Sequence, residues 1–247
     1  MSTIKDQAIC LRAVNYSETS QVVTLLTRDH GKIGAMAKGA RRARSAFDGA
    51  IEPFAYGQAM WIASPSAQKL DILTELVQSP RFRLLRTNLS AMHAGLFALE
   101  LTEAFCQSHD PHPALFDALA AALDHLTRCQ RRDSVLSVLM DYQLTLLDEA
   151  GIAPVLDACA NCGMIAKTLP RELYFSSAAN GLLCGGCEQS FSEKRRISAA
   201  CAAALNRRLS AENAPGNALS EAEHLLIYHF TELLGRPAKM SKYFVSR

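Results

Sequence analysis

Two short stretches, Asp157-Ala-Cys159-Ala-Asn-Cys162-Gly163 and Leu183-Cys184-Gly-Gly-Cys187-Glu188, each hold a pair of cysteines two residues apart. Between the pairs lie 21 residues, slightly more than the roughly 15–20 that are usual in zinc ribbons. Four thiolates around one centre form the tetrahedral, soft ligand set that zinc prefers. The sequence therefore predicts one zinc ion bound by Cys159, Cys162, Cys184 and Cys187, although the spacing alone is also compatible with iron.

Disulfide bonds are the main alternative reading of these cysteines. The chain opens with the polar stretch Met1-Ser-Thr-Ile-Lys-Asp, which does not resemble a secretion signal. We therefore expect a cytoplasmic protein, and a reducing cytoplasm disfavours disulfides. Four protein ligands leave no open position for water, so the predicted role of the metal is structural. The other cysteines are expected to be small core residues: Cys10, Cys106, Cys129 and Cys201.

The charge of the chain is distributed unevenly. The net charge of the 247 residues is only +2, and neither a membrane span nor a strongly basic composition is evident. Counting Lys and Arg against Asp and Glu gives nine and seven in residues 1–80, six and nine in 81–150, and eleven and eight in 151–247. An acidic middle therefore lies between two mildly basic ends.

The first 80 residues read as five short strands separated by sharp turns, for example the β-branched run Val22–Thr27 and the alternating run Leu70–Val77. Five strands in such a short segment predict a small barrel of the OB type, and an SH3-like barrel fits the same pattern. We expect residues 1–80 to form this domain. Residues 81–247 are expected to form a helical domain, with the zinc knuckles at about 155–190.

A basic loop follows the third predicted strand. Four cations lie within seven residues, separated only by glycine and alanine: Lys38, Arg41, Arg42 and Arg44. Such charges repel one another unless an anion binds, and phosphate matches the planar fork of arginine. The loop therefore predicts contact with the backbone of a nucleic acid. Aromatic residues that could stack on bases are Phe47, Phe54, Tyr56 and Trp61, each of which could equally belong to the core.

Helical spacing of apolar residues dominates after Pro80. A capping-box pattern, Ser220-Glu-Ala-Glu223, predicts the start of the last helix, and Gly235 predicts its end. The seven histidines are scattered, and no phosphate-binding loop or nucleophile motif is present. We therefore expect that the protein is not an enzyme.

The order of these parts resembles the RecO family of bacterial DNA repair proteins over essentially the whole chain. The segments that carry the resemblance are the two cysteine pairs and the runs Ala8-Ile-Cys-Leu-Arg-Ala-Val-Asn-Tyr16-Ser-Glu18, Thr24-Leu-Leu-Thr-Arg-Asp-His-Gly31-Lys-Ile and Ala37-Lys-Gly-Ala-Arg41-Arg. Some members of this family lack the cysteines, which agrees with a structural role for the metal.

The resemblance implies a recombination mediator without enzymatic activity. Such proteins bind single- and double-stranded DNA, anneal complementary strands, and act on DNA coated by single-strand-binding protein (SSB). Together with RecR they help to load the RecA recombinase. Transferred to this sequence, Lys38, Arg41, Arg42 and Arg44 would bind the DNA backbone, and the helical domain would bind the C-terminal tail of SSB. The expected location is the cytoplasm, at the nucleoid.

Two other functions remain open from the sequence. A zinc-ribbon regulator would bind nucleic acid with a strong sequence preference. An adaptor would bind only proteins through its helices and ignore bare DNA.

Overall fold

The computed structural model describes most of the chain, namely residues 3–42, 44–66, 69–165, 172–206 and 217–245. The chain divides into two compact units, Met1–Arg128 and Cys129–Arg247. The domain boundary predicted at residue 80 follows the last barrel strand, whereas the first compact unit also contains two helices.

Five strands form a closed barrel in the first unit. They are β1 (Thr3–Asn15), β2 (Gln21–Thr27), β3 (Gly31–Ala37), β4 (Tyr56–Ile62) and β5 (Asp71–Ser79). Their order is β1-β2-β3-β5-β4, with β1 also antiparallel to β4 and with β3 parallel to β5. The chain thus has the predicted α+β fold with an N-terminal OB-type barrel, followed by helices.

The interior of the barrel is built by alternation of apolar and polar residues along the strands. On β2, Val23 and Leu25 are fully buried, while the alternate residues Val22 and Thr24 are only partly covered. Because successive side chains of a strand point to opposite faces, this alternation places one set of residues inside the barrel. Trp61 belongs to that interior, with 1% of its surface exposed.

The connection from β3 to β4 contributes side chains to the same core. Ala40, Phe47 and Ile51 are all buried within it. The side chain of Gln21 fixes this connection in two directions: its Nε2 donates to the carbonyl of Ile51 at 3.1 Å, and its Oε1 accepts from the Ile51 N–H at 2.9 Å. The basic loop therefore starts from an anchored segment, with Ala40 buried among the exposed cations.

Two helices complete the first unit, α1 (Leu89–Phe105) and α2 (Pro113–Leu126). The side chain of Asn88 caps α1 by accepting from the N–H groups of Ser90 and Ala91. Close packing of α1 requires Gly95, since an added Cβ would lie 2.9 Å from the ring of Phe54.

In the second unit, the described residues form three α-helices and a small sheet. Its elements are α3 (Arg132–Glu149), β6 (Leu173–Ser176), β7 (Gly181–Cys184), β8 (Arg195–Ile197), α4 (Ala199–Leu205) and α5 (Ala218–Leu234). The sheet has the order β7-β6-β8, and every pairing is antiparallel. Of the helices in the described ranges, none combines the length and apolar character needed to cross a membrane.

The start of α5 differs from the prediction. Its N-cap residue is Asn217, so Ser220 already lies inside the helix and does not cap it. Glu223 is fully buried and accepts a hydrogen bond from Gln143 Nε2 at 3.0 Å, so it takes no part in a capping box. The predicted end is confirmed, because Gly235 follows the helix in the left-handed conformation at φ 66°.

Candidate metal centre and nucleic-acid interface

The four predicted cysteine ligands lie together in the second unit. The Sγ atoms of Cys159, Cys162, Cys184 and Cys187 are all within 4.8 Å of one another. Four sulfurs at 2.3 Å from a central zinc ion would be separated by about 3.8 Å. The Sγ atoms of Cys162 and Cys184 are 3.9 Å apart, close to that value.

The first pair of cysteines lies on a tight turn. The N–H of Cys159 donates to the carbonyl of Met164 at 2.8 Å, and the N–H of Gly163 donates back to the carbonyl of Cys159 at 2.9 Å. Gly163 adopts φ +72°, a conformation that residues with a Cβ rarely take. The glycine that follows the pair in the sequence therefore permits the turn that brings both sulfurs to one side.

The second pair begins at the end of β7. Cys184 is the last residue of that strand, and the N–H of Cys187 donates to its carbonyl at 3.0 Å. Hydrogen bonds also join the two pairs: the N–H of Cys184 points to Cys159 Sγ at 3.4 Å, and the N–H of Ala160 donates to the carbonyl of Leu182 at 2.7 Å. Backbone contacts thus hold the two knuckles face to face.

Proton affinities within the cluster are strongly perturbed. Burial raises the pKa of Cys159, but backbone hydrogen bonds to its sulfur outweigh this effect and lower the pKa to about 6. At Cys187 a hydrogen bond with Asn161 lowers the pKa, and the neighbouring cysteines together with burial raise it to about 11. Thiolates this close repel one another unless a cation balances them. Sulfur donors, their separation and their mutual repulsion all fit a divalent metal such as zinc.

The remaining cysteines have the predicted core role. Cys10, Cys106, Cys129 and Cys201 are all buried. Burial raises the pKa of Cys106 to about 11 and that of Cys10 to about 12. Both therefore stay neutral at physiological pH and are weak nucleophiles.

The predicted basic loop is exposed at every cation. Lys38, Arg41, Arg42 and Arg44 all lie on the surface. Among the ion pairs formed by described residues, none includes these four side chains. Arg41 differs from the others because its N–H donates to the carbonyl of Thr19 at 3.1 Å and its Nη1 donates to the carbonyl of Ser17 at 3.4 Å.

A cleft of about 480 Å³ in the first unit is lined by three arginines, Arg28, Arg81 and Arg128, and the first two have ion-pair partners. Arg28 is paired with Asp117 at 2.8 Å, and Arg81 is paired with Asp124 at 2.5 Å. Since these charges are already balanced within the protein, they offer less to an external anion than the loop does.

The aromatic residues proposed from the sequence for base stacking are not accessible. Phe47, Phe54 and Trp61 are at most 8% exposed. Tyr56 is half-buried and is covered by Arg81, whose guanidinium carbon lies 4.7 Å from the ring centre. The accessible aromatic residue near the loop is Tyr16, which is 70% exposed. Sequence reasoning passed over it, although an aromatic residue inside the polar turn Asn15-Tyr-Ser-Glu-Thr-Ser20 was a usable signal.

Comparison with protein families agrees with this arrangement of parts. The family model described as "Recombination protein O N terminal" matches residues 1–80, and "Recombination protein O C terminal" matches residues 86–242. The chain belongs to the RecO family. RecO proteins from two bacteria illustrate the similarity, and both are named DNA repair protein RecO.

The relative from Anaeromyxobacter dehalogenans (strain 2CP-C) is 37% identical over 207 residues, which cover 84% of this chain and 79% of that protein. The relative from Bacillus pumilus (strain SAFR-032) is 30% identical over 247 residues, which cover 97% of this chain and 93% of that protein. The similarity to RecO therefore extends over the barrel, the helices and the cysteine region.

Proposed function

We propose that this RecO-family protein is a recombination mediator of the cytoplasm and nucleoid. In this proposal it binds single- and double-stranded DNA, anneals complementary strands, and with RecR helps to load RecA onto DNA coated by SSB. The observation that carries the proposal is the loop of four exposed cations, without ion-pair partners among the described residues, on an OB-type barrel. Such a surface attracts phosphate and makes binding dependent on salt.

Annealing as proposed here requires no covalent chemistry. Two complementary strands repel each other through their phosphates, and base pairing supplies the driving force once they meet. Lys38, Arg41, Arg42 and Arg44 would reduce this repulsion by replacing counterions at the phosphates. In the same proposal Cys159, Cys162, Cys184 and Cys187 hold a zinc ion with all four positions filled, which supplies a structural cross-link.

The first test measures annealing of two complementary oligonucleotides, each coated with SSB, with and without the protein at two salt concentrations. We expect acceleration that weakens at the higher salt. If the protein neither accelerates annealing nor binds bare strands, the mediator proposal is wrong and a protein-binding adaptor takes its place. Strong preference for one DNA sequence would instead indicate a sequence-reading regulator.

A charge-matched pair of double variants tests the loop itself. Arg41→Ala with Arg42→Ala is expected to weaken binding to all sequences and to lower the slope of log affinity against log salt by about 1.4, or 0.7 for each phosphate contact on a single strand. The control is Arg83→Ala with Arg86→Ala, which removes the same charge from exposed positions after the barrel, where Arg86 is paired with Glu52 at 2.6 Å and so is less available to an external anion. An equal loss in both double variants, or none in either, would exclude a specific role for the loop.

A further inference from the structure

A cleft of about 310 Å³ lies between the β1–β2 turn and the start of the basic loop. The turn contributes Tyr16 and two serines to its lining, and the end of β3 and the loop contribute Met36, Lys38, Gly39 and Arg42. Its volume is at the lower end of the range of about 300–1,000 Å³ for ligand sites. An aromatic ring and two unpaired cations therefore border one small opening.

The exposure of Tyr16 is built into the turn. Its N–H donates to the carbonyl of Ser20 at 3.0 Å, and the Ser20 N–H donates to Ser17 Oγ at 3.1 Å. These bonds hold the turn closed while the tyrosine ring projects into solvent. Single exposed apolar residues are common on proteins, so exposure alone does not indicate a site.

The turn and the basic loop are also fixed to each other. The two hydrogen bonds from Arg41, one from its backbone and one from its side chain, end on Thr19 and Ser17 of the turn. Besides the phosphate contact proposed for its exposed charge, Arg41 therefore also positions the turn next to the cleft, whereas Lys38 and Arg42 border the cleft itself. Glu18 lies in the same turn but does not line the cleft.

An apolar row runs across the outer face of the barrel beside this cleft. Val14 pairs with Val22, Val22 with Met36, and Met36 with Ile72, so their side chains share one face. Val14 and Ile72 are 45% and 42% exposed. The neighbouring cross-strand pair, Arg12 two residues before Val14 and Thr24 two residues after Val22, contacts Glu103 of α1. The helix thus covers the neighbouring row and leaves this one open.

We propose that this cleft is a subsite for an unpaired nucleotide, in which the base stacks on Tyr16 and the adjoining phosphates bind Lys38 and Arg42. Stacking on an aromatic ring suits any base, and the cations account for charge, so the subsite would bind single strands without sequence preference. Bases within a duplex are already stacked and do not reach the ring. The inference rests on the proposed DNA binding and adds its preference for single strands.

The experiment measures affinity for three probes: a thymidine oligonucleotide, an oligomer of equal length with abasic sites, and a duplex. Tyr16→Ala is expected to weaken binding of the thymidine oligonucleotide about tenfold, within the range found for loss of one stacking contact. Tyr16→Phe should bind like the unaltered protein, and Tyr16→Leu like Tyr16→Ala. The abasic and duplex probes should not distinguish these variants, and the salt slope should stay unchanged.

Val77→Ala serves as a control for loss of an exposed apolar side chain, since Val77 is 52% exposed on β5. If Tyr16→Ala binds the thymidine oligonucleotide as well as the unaltered protein, the subsite is wrong while DNA binding by the loop stands. Equal losses on all three probes would also overturn it, because stacking affects only unpaired bases. If the unaltered protein binds none of the probes, the proposed function itself fails.

Discussion

The cysteine cluster and the cleft at the barrel differ in how the charges of their side chains are balanced. At the cluster, four sulfurs lie within 4.8 Å of one another, an arrangement that can hold a metal ion between them. At the cleft, Lys38 and Arg42 are exposed and have no ion-pair partner within the described residues. In the proposed function a metal ion completes the first arrangement, and a nucleic acid that binds and dissociates completes the second.

Because of this difference, we expect variants at the cysteine cluster to change the stability of the protein and variants at the cleft to change its affinity for a ligand. Loss of a buried group that needs its partner is costly, because the partner is left unsatisfied inside the protein. Loss of an exposed, unpaired cation leaves the fold nearly unchanged and alters only the affinity for an anion. Variants at the two places should therefore fail in different assays.

The largest expected effect is at the metal ligands. Cys159→Ser should remove the bound zinc and lower the free energy of unfolding by about 4 kcal/mol or more, the range associated with loss of a structural metal. Measurement of zinc per chain and of chemical denaturation tests this. Affinity for a single strand at the barrel should persist wherever the variant remains folded.

Cys129→Ser is the matched control for that variant. Cys129 is a buried cysteine of the same unit, but it lies outside the cluster. It should retain one zinc ion per chain. Zinc binding that survives in Cys159→Ser would remove Cys159 from the ligand set and break the comparison.

The fold was predictable from the sequence where a strand or helix has a repeating pattern. Alternation revealed barrel strands such as β2 and β5, but the mostly polar first residues of β1, Thr3–Gln7, show no such pattern and pair with β4 because closure of the barrel leaves no free edge. The short strands β7 and β8 hold too few residues for a pattern. The capping box failed because Glu223 is held by Gln143, 80 positions away, and no local rule anticipates such a contact.

The candidate site was predictable to a similar degree. The four cysteines that cluster in the fold and the four exposed cations could all be named from the sequence, since each set is chemically distinctive. The polar turn around Tyr16 was a signal of an exposed aromatic residue, but its position beside Lys38 and Arg42, more than 20 residues later, could not be assigned from the sequence. A site that is defined by exposure becomes visible only when the packing shows which aromatic residues are buried.

The second-largest expected effect is at Glu223, a buried carboxyl group in the same unit as the cysteine cluster. Burial raises the pKa of Glu223 from 4.5 to about 8, with a smaller opposing effect from Gln143. The folded protein therefore holds a proton that the unfolded chain releases above pH 4.5. The contribution of Glu223 to the free energy of unfolding is therefore fully present below pH 4.5 and is lost as the pH rises toward 8.

Glu223→Gln should remove this pH dependence. We expect the variant to be more stable than the unaltered protein by roughly 2 kcal/mol at pH 6 and about twice that at pH 8. Glu232→Gln is the control, because Glu232 is exposed on the same helix. Urea denaturation at several pH values measures both. Parallel stability curves for Glu223→Gln and the unaltered protein would show that Glu223 is ionised in the fold.

The smallest effect gives the sharpest comparison, because it applies the same backbone strain in both places. Gly39 and Gly163 have nearly equal φ angles, +75° and +72°, and Gly151 at the end of α3 has +71°. An alanine at each position should cost about 1–2 kcal/mol of stability.

Gly163→Ala should also weaken zinc retention against a chelator while leaving DNA affinity unchanged. Gly39→Ala should weaken single-strand binding a few-fold and leave zinc unchanged, since its Cβ would lie 3.4 Å from Arg42 Cδ. Gly151→Ala should show the strain alone, and equal losses of zinc or DNA binding in all three variants would mean that the two places are not independent.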